Sequence, residues 1–279
     1  MVELGFHCNR ISHIERGVIG NGLRRGEFFC FRKEELPALK KEIEEKGIKA
    51  SVHSPLIRLD WYPWPHTISF LCNISKDDRE LTLRMIRETI DASIDIGAEY
   101  IIVHFPAPAT DTQGESEEKR ISSALKGCEA IAELSVKKNI PIHTEGIGSS
   151  ELINLEFLKR VFTEFDILKY CFDIGHMKLA SIELGFDLYE FAEGILPYLG
   201  SVHIWNLRTR EDYERFHHIP VHPSQKAEDG WVDIERILKI LSKKPVPFIF
   251  ESPYSYPQEL GGYDYREGVE WVKGILSSS

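Results

Sequence analysis

DDRELTLRMIRETIDASIDIGAEYIIVHFP, residues 77–106, contains one complete helix-and-strand unit. Leu81, Leu83, Ile86, Ile90 and Ile94 fall mostly on one face at helical spacing, and Gly97 supplies a stop. The short apolar run YIIV (100–103) then reads as a buried strand, with His104 just past its end. The same unit recurs along the chain. Strand candidates are VELGF (2–6), EFFCF (27–31), IKASV (48–52), YIIV, IPIHT (140–144), LKYCF (168–172), SVHIW (201–205) and PFIF (247–250). Helical periodicity fills 32–47, 77–97, 117–139, 150–165, 186–199, 232–244 and 264–276. Eight strands alternating with helices predict an α/β protein with a parallel sheet, and the count fits an eight-stranded (β/α)8 TIM barrel better than an open doubly wound sheet. The weakest unit is residues 10–26, where Gly17, Gly20 and Gly22 interrupt what should be the first helix.

Composition agrees with a single domain over 1–279. A chain of 279 residues with 42% hydrophobic content has material for one large core, and no linker, low-complexity tract or repeat divides it. No run approaches the ~20 apolar residues needed to cross a bilayer, and the opening MVELGFHCNR lacks a signal-peptide layout, so no membrane partner and a cytoplasmic location are expected. Five scattered cysteines without a C-x-x-C pair suggest neither a disulfide framework nor a thiolate zinc site. The net charge of −10 weighs weakly against nucleic acid without excluding it. No G-x-G-x-x-G or G-x-x-x-x-G-K-[ST] follows a strand, which removes the common phosphate-cradling loops.

Chemistry concentrates where a barrel builds its active site, at the C-terminal strand ends. The last six strands deliver His53, His104, Glu145, Asp173, His203 and Glu251 in order. Asp, Glu and His make up roughly one residue in five, so six in a row arise by chance on the order of one time in ten thousand, and about tenfold more often once register is free. Three carboxylates meeting at one mouth would repel one another, and a divalent cation is the direct means of holding them ionised.

In the order LGFH, VHSPL, IIVHFP, HTEG, FDIGH, VHIWN and FIFES, the chain resembles the xylose-isomerase-like barrel superfamily. That superfamily includes sugar and sugar-phosphate isomerases and epimerases and the endonuclease IV type of abasic-site nuclease. The resemblance implies Glu145, Asp173, His203 and Glu251 as a four-ligand metal site. It implies His53 and His104, with Glu145 bridging, as ligands of a second metal. His176 matches a further ligand or substrate contact, and His218 matches the histidine of a D-x-H pair. The chain departs from the pattern at Phe216, where that pair carries aspartate, leaving His217, His222 or Asp229 as substitutes. It also has HFP where the nuclease has H-P-G.

The donor set suits Zn²⁺ or Mn²⁺, with Mg²⁺ or Co²⁺ compatible, in one to three ions. Sugar chemistry would use Glu145 and Glu251 as the acid/base pair and His176 on a substrate hydroxyl. His7, Trp205, Arg208 and Trp231 are further candidate substrate contacts, and the aromatic stretches 61–66 and 251–265 a candidate lid. The nuclease alternative would need two or three zinc ions and basic loops, for which Arg24, Arg25, Arg208 and Arg210 are the candidates. A third alternative is a barrel that binds metal or sugar without turnover. His143 is read as structural.

Overall fold

A computed structural model describes residues 2–277. Its eight strands are β1 Glu3–Cys8, β2 Arg25–Phe28, β3 Lys49–His53, β4 Ala98–His104, β5 Ile142–Glu145, β6 Lys169–Asp173, β7 Leu199–Ile204 and β8 Pro247–Phe250. They pair in sequence order, all parallel, and β8 closes on β1. Helices α2 Leu36–Lys46, α3 Lys76–Asp95, α4 Glu117–Lys138, α5 Leu155–Glu164, α7 Leu188–Ile195, α9 Ile234–Leu241 and α10 Tyr265–Ser277 lie at the expected stretches. Their ends follow local chemistry. Ser75, Ser116, Asn154 and Asp233 accept backbone N–H bonds as N-caps, and Gly47 (φ 58°) and Asn139 (φ 52°) close α2 and α4 in the left-handed region.

Alternation along the strands separates two interiors. Phe6, Phe28, Val52, Ile101, Val103, Phe172, Val202 and Phe248 face outward into one continuous core with Leu39, Ile86, Ile90, Ile131, Leu158, Ile237 and Leu241 of the helices. This layer carries the hydrophobic stabilisation, at about 1.5–3 kcal/mol per buried side chain of this size. The inside of the barrel is mostly polar, with Tyr100, Ile102 and Cys171 as a small apolar cluster. At its lower end Arg25 is buried, bonded to Glu3 at 2.7 Å, paired with Glu99, and 5.6 Å from the Tyr100 ring centroid. Arg25 therefore ties the strand starts together, and with Arg24 it lies at the end of the barrel away from the mouth. This corrects the expectation that either contacts nucleic acid there.

Several elements depart from the sequence expectation. β2 begins and ends earlier than 27–31, because Cys30 takes a φ of 58° that a strand cannot continue through. Residues 11–21 do form helical turns, α1 Ile11–His13 running into a π turn and a 3-10 turn, ended by Gly22 at φ 64°. Two helices lie outside the expected stretches, α6 Ile174–Leu184 and α8 Arg210–Phe216. α6 buries Ile174, Gly175, His176, Met177, Leu179 and Ala180 around most of its girth, so it lacks the one-sided periodicity that marks a surface helix. A Cβ on Gly175 would lie 2.3 Å from the Trp205 ring, so only glycine fits beneath that indole. His143 is structural, bonded to Ser201 Oγ at 3.0 Å and stacked on Tyr100, but it faces the barrel interior on the same side of β5 as Glu145.

Candidate metal centre

Parallel register brings the six strand-end residues into one ring. His104 lies beside Glu145 and Asp173 beside His203 in the ladder, and Glu251 follows the last residue of β8. Two groups of potential ligand atoms result, Glu145 with Asp173, His203 and Glu251, and Glu145 with His53 and His104. Within each group the atoms lie within 4.8 Å of one another. Glu145 joins the two, with Oε1 at 3.3 Å from His203 Nδ1 and Oε2 at 3.1 Å from His53 Nε2. His203 Nδ1 also faces Glu251 Oε2 at 2.7 Å and Asp173 Oδ2 at 3.7 Å.

The donor chemistry of both groups calls for a cation. His53 donates Nδ1–H to the Ser54 carbonyl (3.2 Å) and His104 donates Nδ1–H to the Thr67 carbonyl (2.7 Å), since a carbonyl can only accept. Each neutral ring then presents an Nε2 lone pair to the other at 3.1 Å and to Glu145 Oε2. Three acceptors meet there, and only a proton or a metal ion satisfies them. In the four-ligand group Glu251 Oε2 is buried without a hydrogen-bond partner despite its approach to His203. These residues fit a divalent ion.

Electrostatics point the same way. Burial alone would raise the Glu145 carboxyl, but the charge and hydrogen bonds of His203, His104 and His53 outweigh it and hold Glu145 well below the usual carboxylate range. Burial also opposes ionisation of Glu251, and His203 overcomes it in the same direction. Against its own burial, His53 is raised to about 9 by its bond to Glu145. Burial pushes His7 down to about 4 and lowers His218, leaving both as neutral rings at pH 7.

Asp173 has a double task. Its Oδ1 accepts the His176 backbone N–H at 2.6 Å, capping α6, and its Oδ2 accepts the Trp205 indole N–H at 2.7 Å. Trp205 is wholly buried and supports the site from beneath, with the His218 ring stacked on it at 4.2 Å. His218 donates Nδ1–H to the Glu251 carbonyl at 2.9 Å, which frees its Nε2. His176 Nδ1 is buried without a partner.

A cavity of about 800 Å³ opens above the ring, lined by His7, His53, His104, His176, His218 and Glu251 among others. Its upper wall comes from Thr67, Ile68 and Ser69 after β3 and from Tyr213, Phe216 and His217 of α8 and its end. Arg208 and Trp231 do not line it: Arg208 pairs with Asp212 at 2.8 Å and lies 5.4 Å over the Trp231 ring. Nor does Trp205, whose burial below the mouth keeps it from substrate. Of the two aromatic stretches, Tyr62 packs in a cluster beside α3 and Tyr254 stacks on Phe6, whereas Trp64 is exposed and Pro253 lines the cavity. His222 bonds Glu267 at 3.1 Å and stacks on Tyr263, and Asp229 is exposed on a 3-10 turn, so neither replaces the aspartate missing at Phe216. His217 alone of the three reaches the cavity.

Sequence reasoning missed Glu27 altogether. It is wholly buried on β2, with Oε1 2.8 Å from His203 Nε2 and Oε2 accepting the Ser51 hydroxyl at 3.1 Å. The available signal was a carboxylate opening the apolar run EFFCF (27–31), a position where an ionisable group is rarely buried unpaired.

This closed barrel with acidic and imidazole side chains at its C-terminal rim defines a class of fold, and the comparisons place the chain within it. A family model described as a xylose isomerase-like TIM barrel matches residues 11–275, and the chain belongs to that family. Among curated proteins none is similar enough in sequence to match. Similar solved structures include a D-tagatose 3-epimerase-like protein (16% identity, TM-score 0.75, covering 99% of this chain and 97% of that one). An L-ribulose 3-epimerase is similar at 17% identity and a TM-score of 0.71, over 100% and 95% of the two chains. The 3-keto-D-glucoside 4-epimerase of E. coli is similar at 15% and 0.66, over 98% and 100%. At these identities the likeness is one of fold. Among the described residues no helix is long and apolar enough to cross a membrane.

Proposed function

We propose that the protein is a divalent-metal-dependent sugar isomerase or epimerase. The observation that carries this reading is the pair Glu145 and Glu251, two buried carboxylates from well-separated strands that converge on His203 Nδ1 at the floor of one cavity. A divalent ion held by Glu145, Asp173, His203 and Glu251 would polarise a sugar carbonyl and acidify the neighbouring C–H. One carboxylate accepts that proton and the other returns a proton to the opposite face, so substrate and product differ only in configuration. His176 Nδ1 contacts a substrate hydroxyl. That several proteins of the same fold are named as ketose 3-epimerases supports a ketose substrate.

Among the described residues no lysine or arginine lines the cavity, which favours an uncharged sugar over its phosphate. An adjoining groove that shares His7 and Glu251 with the cavity does carry Arg10. The test is proton exchange: metal-loaded protein incubated with a free ketohexose in D₂O is expected to place deuterium beside the carbonyl and to form the epimer. Neither exchange nor a new isomer across the free ketoses would overturn the reading.

The second group, His53, His104 and Glu145, favours keeping the zinc phosphodiesterase as the alternative. Against it, Phe216 forms cavity wall where a third ion would need a carboxylate, and Arg210 is engaged by Glu183 and Glu214. The two readings differ in metal number. One tightly held ion per chain at neutral pH is expected for the epimerase, because the raised His53 fills the second group with its own proton. Uptake of a second ion should then increase with rising pH, because His53 must lose that proton before it can ligate. Metal content by elemental analysis across pH 6.5 to 9.5 checks this. Two or three zinc ions at pH 7, with cleavage of an abasic duplex, would decide for phosphodiester hydrolysis.

A further inference from the structure

We propose that Glu27 is a positioning residue that fixes which nitrogen His203 turns toward the metal centre and strengthens that nitrogen as a donor. The inference rests on the metal centre proposed above. His203 is wholly buried, and its two nitrogens face different surroundings. Nδ1 faces Glu145, Asp173 and Glu251, the other members of the four-ligand group. Nε2 faces Glu27 Oε1 at 2.8 Å, but the two are not aligned as a hydrogen bond, and both atoms are buried without any hydrogen-bond partner. Carboxylates lie opposite both nitrogens, so a cation bound among Glu145, Asp173 and Glu251 would claim the Nδ1 lone pair and leave the ring proton on Nε2, toward Glu27.

Glu27 is itself held. Its Oε2 accepts the Ser51 hydroxyl at 3.1 Å, and Ser51 is also wholly buried. The order from the mouth inward is therefore Nδ1, the imidazole ring, Nε2, Glu27 and Ser51. A carboxylate behind a ligating imidazole orients the ring and raises its basicity, and removal of such a partner costs roughly 10–100-fold in metal affinity. Core packing does not account for Glu27, since an apolar side chain would fill the same space without burying a carboxylate.

The test is Glu27→Gln, which keeps the volume and removes the charge, read by metal affinity and not by turnover alone. Competition against a chromophoric chelator with Mn²⁺ and Zn²⁺ is expected to show affinity reduced about 10–100-fold. The visible absorption bands of the Co²⁺-loaded variant should shift from those of the wild type, while the chelator-treated variant unfolds at or above the wild-type temperature. A purely structural Glu27 would move the unfolding temperature and leave affinity and Co²⁺ spectrum alone, and wild-type affinity in Glu27→Gln overturns the inference. Should that variant fail to fold, Ser51→Ala removes only the supporting hydroxyl. An affinity loss of about threefold or more then supports the role, and a change within twofold overturns it. Wild-type protein that takes up no divalent ion overturns both this inference and the proposed metal centre; unaltered binding in the variants alongside metal-dependent epimerisation overturns this inference alone.

Discussion

Glu251→Gln and Glu145→Gln are each expected to lower kcat for ketose epimerisation by about a thousandfold or more while the barrel stays folded. Loss of one acid/base group alone costs on the order of 10²–10⁴ in rate. Both residues also belong to the four-ligand group, so the substitution weakens metal retention as well. Folding should survive because the hydrophobic stabilisation resides between sheet and helices, and glutamine keeps the shape of the side chain. The two variants should differ in one respect. Glu145 serves His203 with one oxygen and His53 with the other, whereas Glu251 serves only the four-ligand group. Glu145→Gln should therefore lose metal more readily than Glu251→Gln at equal chelator concentration. Circular dichroism with single-turnover exchange in D₂O checks the pair, and substantial residual turnover in both would refute the acid/base assignment.

The second large effect is on stability. Three buried carboxylates and His203 are packed at one barrel end, and an ion bound only by the folded state stabilises it by mass action. With free Mn²⁺ or Zn²⁺ at a thousand times its Kd the gain is about 4 kcal/mol. For a chain of this length that corresponds to a rise in unfolding temperature of roughly 10 °C over the chelator-treated protein. His203→Ala removes the nitrogen donor of the four-ligand group, and its unfolding temperature should no longer respond to the ion. Differential scanning calorimetry of both proteins with and without metal measures this, and an equal response of wild type and variant would show that the ion binds elsewhere.

Much of this arrangement is legible in the residues themselves. His53, His104, Glu145 and Asp173 are terminal residues of their strands, as expected, because a buried parallel strand is a short apolar run whose end is visible in sequence. Periodicity fails to reveal α6 because that helix has no polar face. α6 also starts on the residue after β6 with no loop between them, and its cap, Asp173, is at the same time a candidate metal ligand. The misplaced aromatic and cationic candidates share a cause. Trp205, Arg208 and Trp231 carry side chains suited to sugar contact, but burial and pairing with Asp173 and Asp212 decide where those groups are used.

The alternation of strands and helices, the identity of the six strand-end residues and their order around the mouth follow from local periodicity, which depends only on neighbours along the chain. Glu27 against His203, the stacking of His218 on Trp205 and the Phe216 cavity wall depend on contacts between segments far apart in sequence. β2 and β7 share no ladder, so Glu27 reaches His203 only across the interior of a closed barrel. Closure, strand tilt and register set that distance together, and no stretch of the chain encodes it alone.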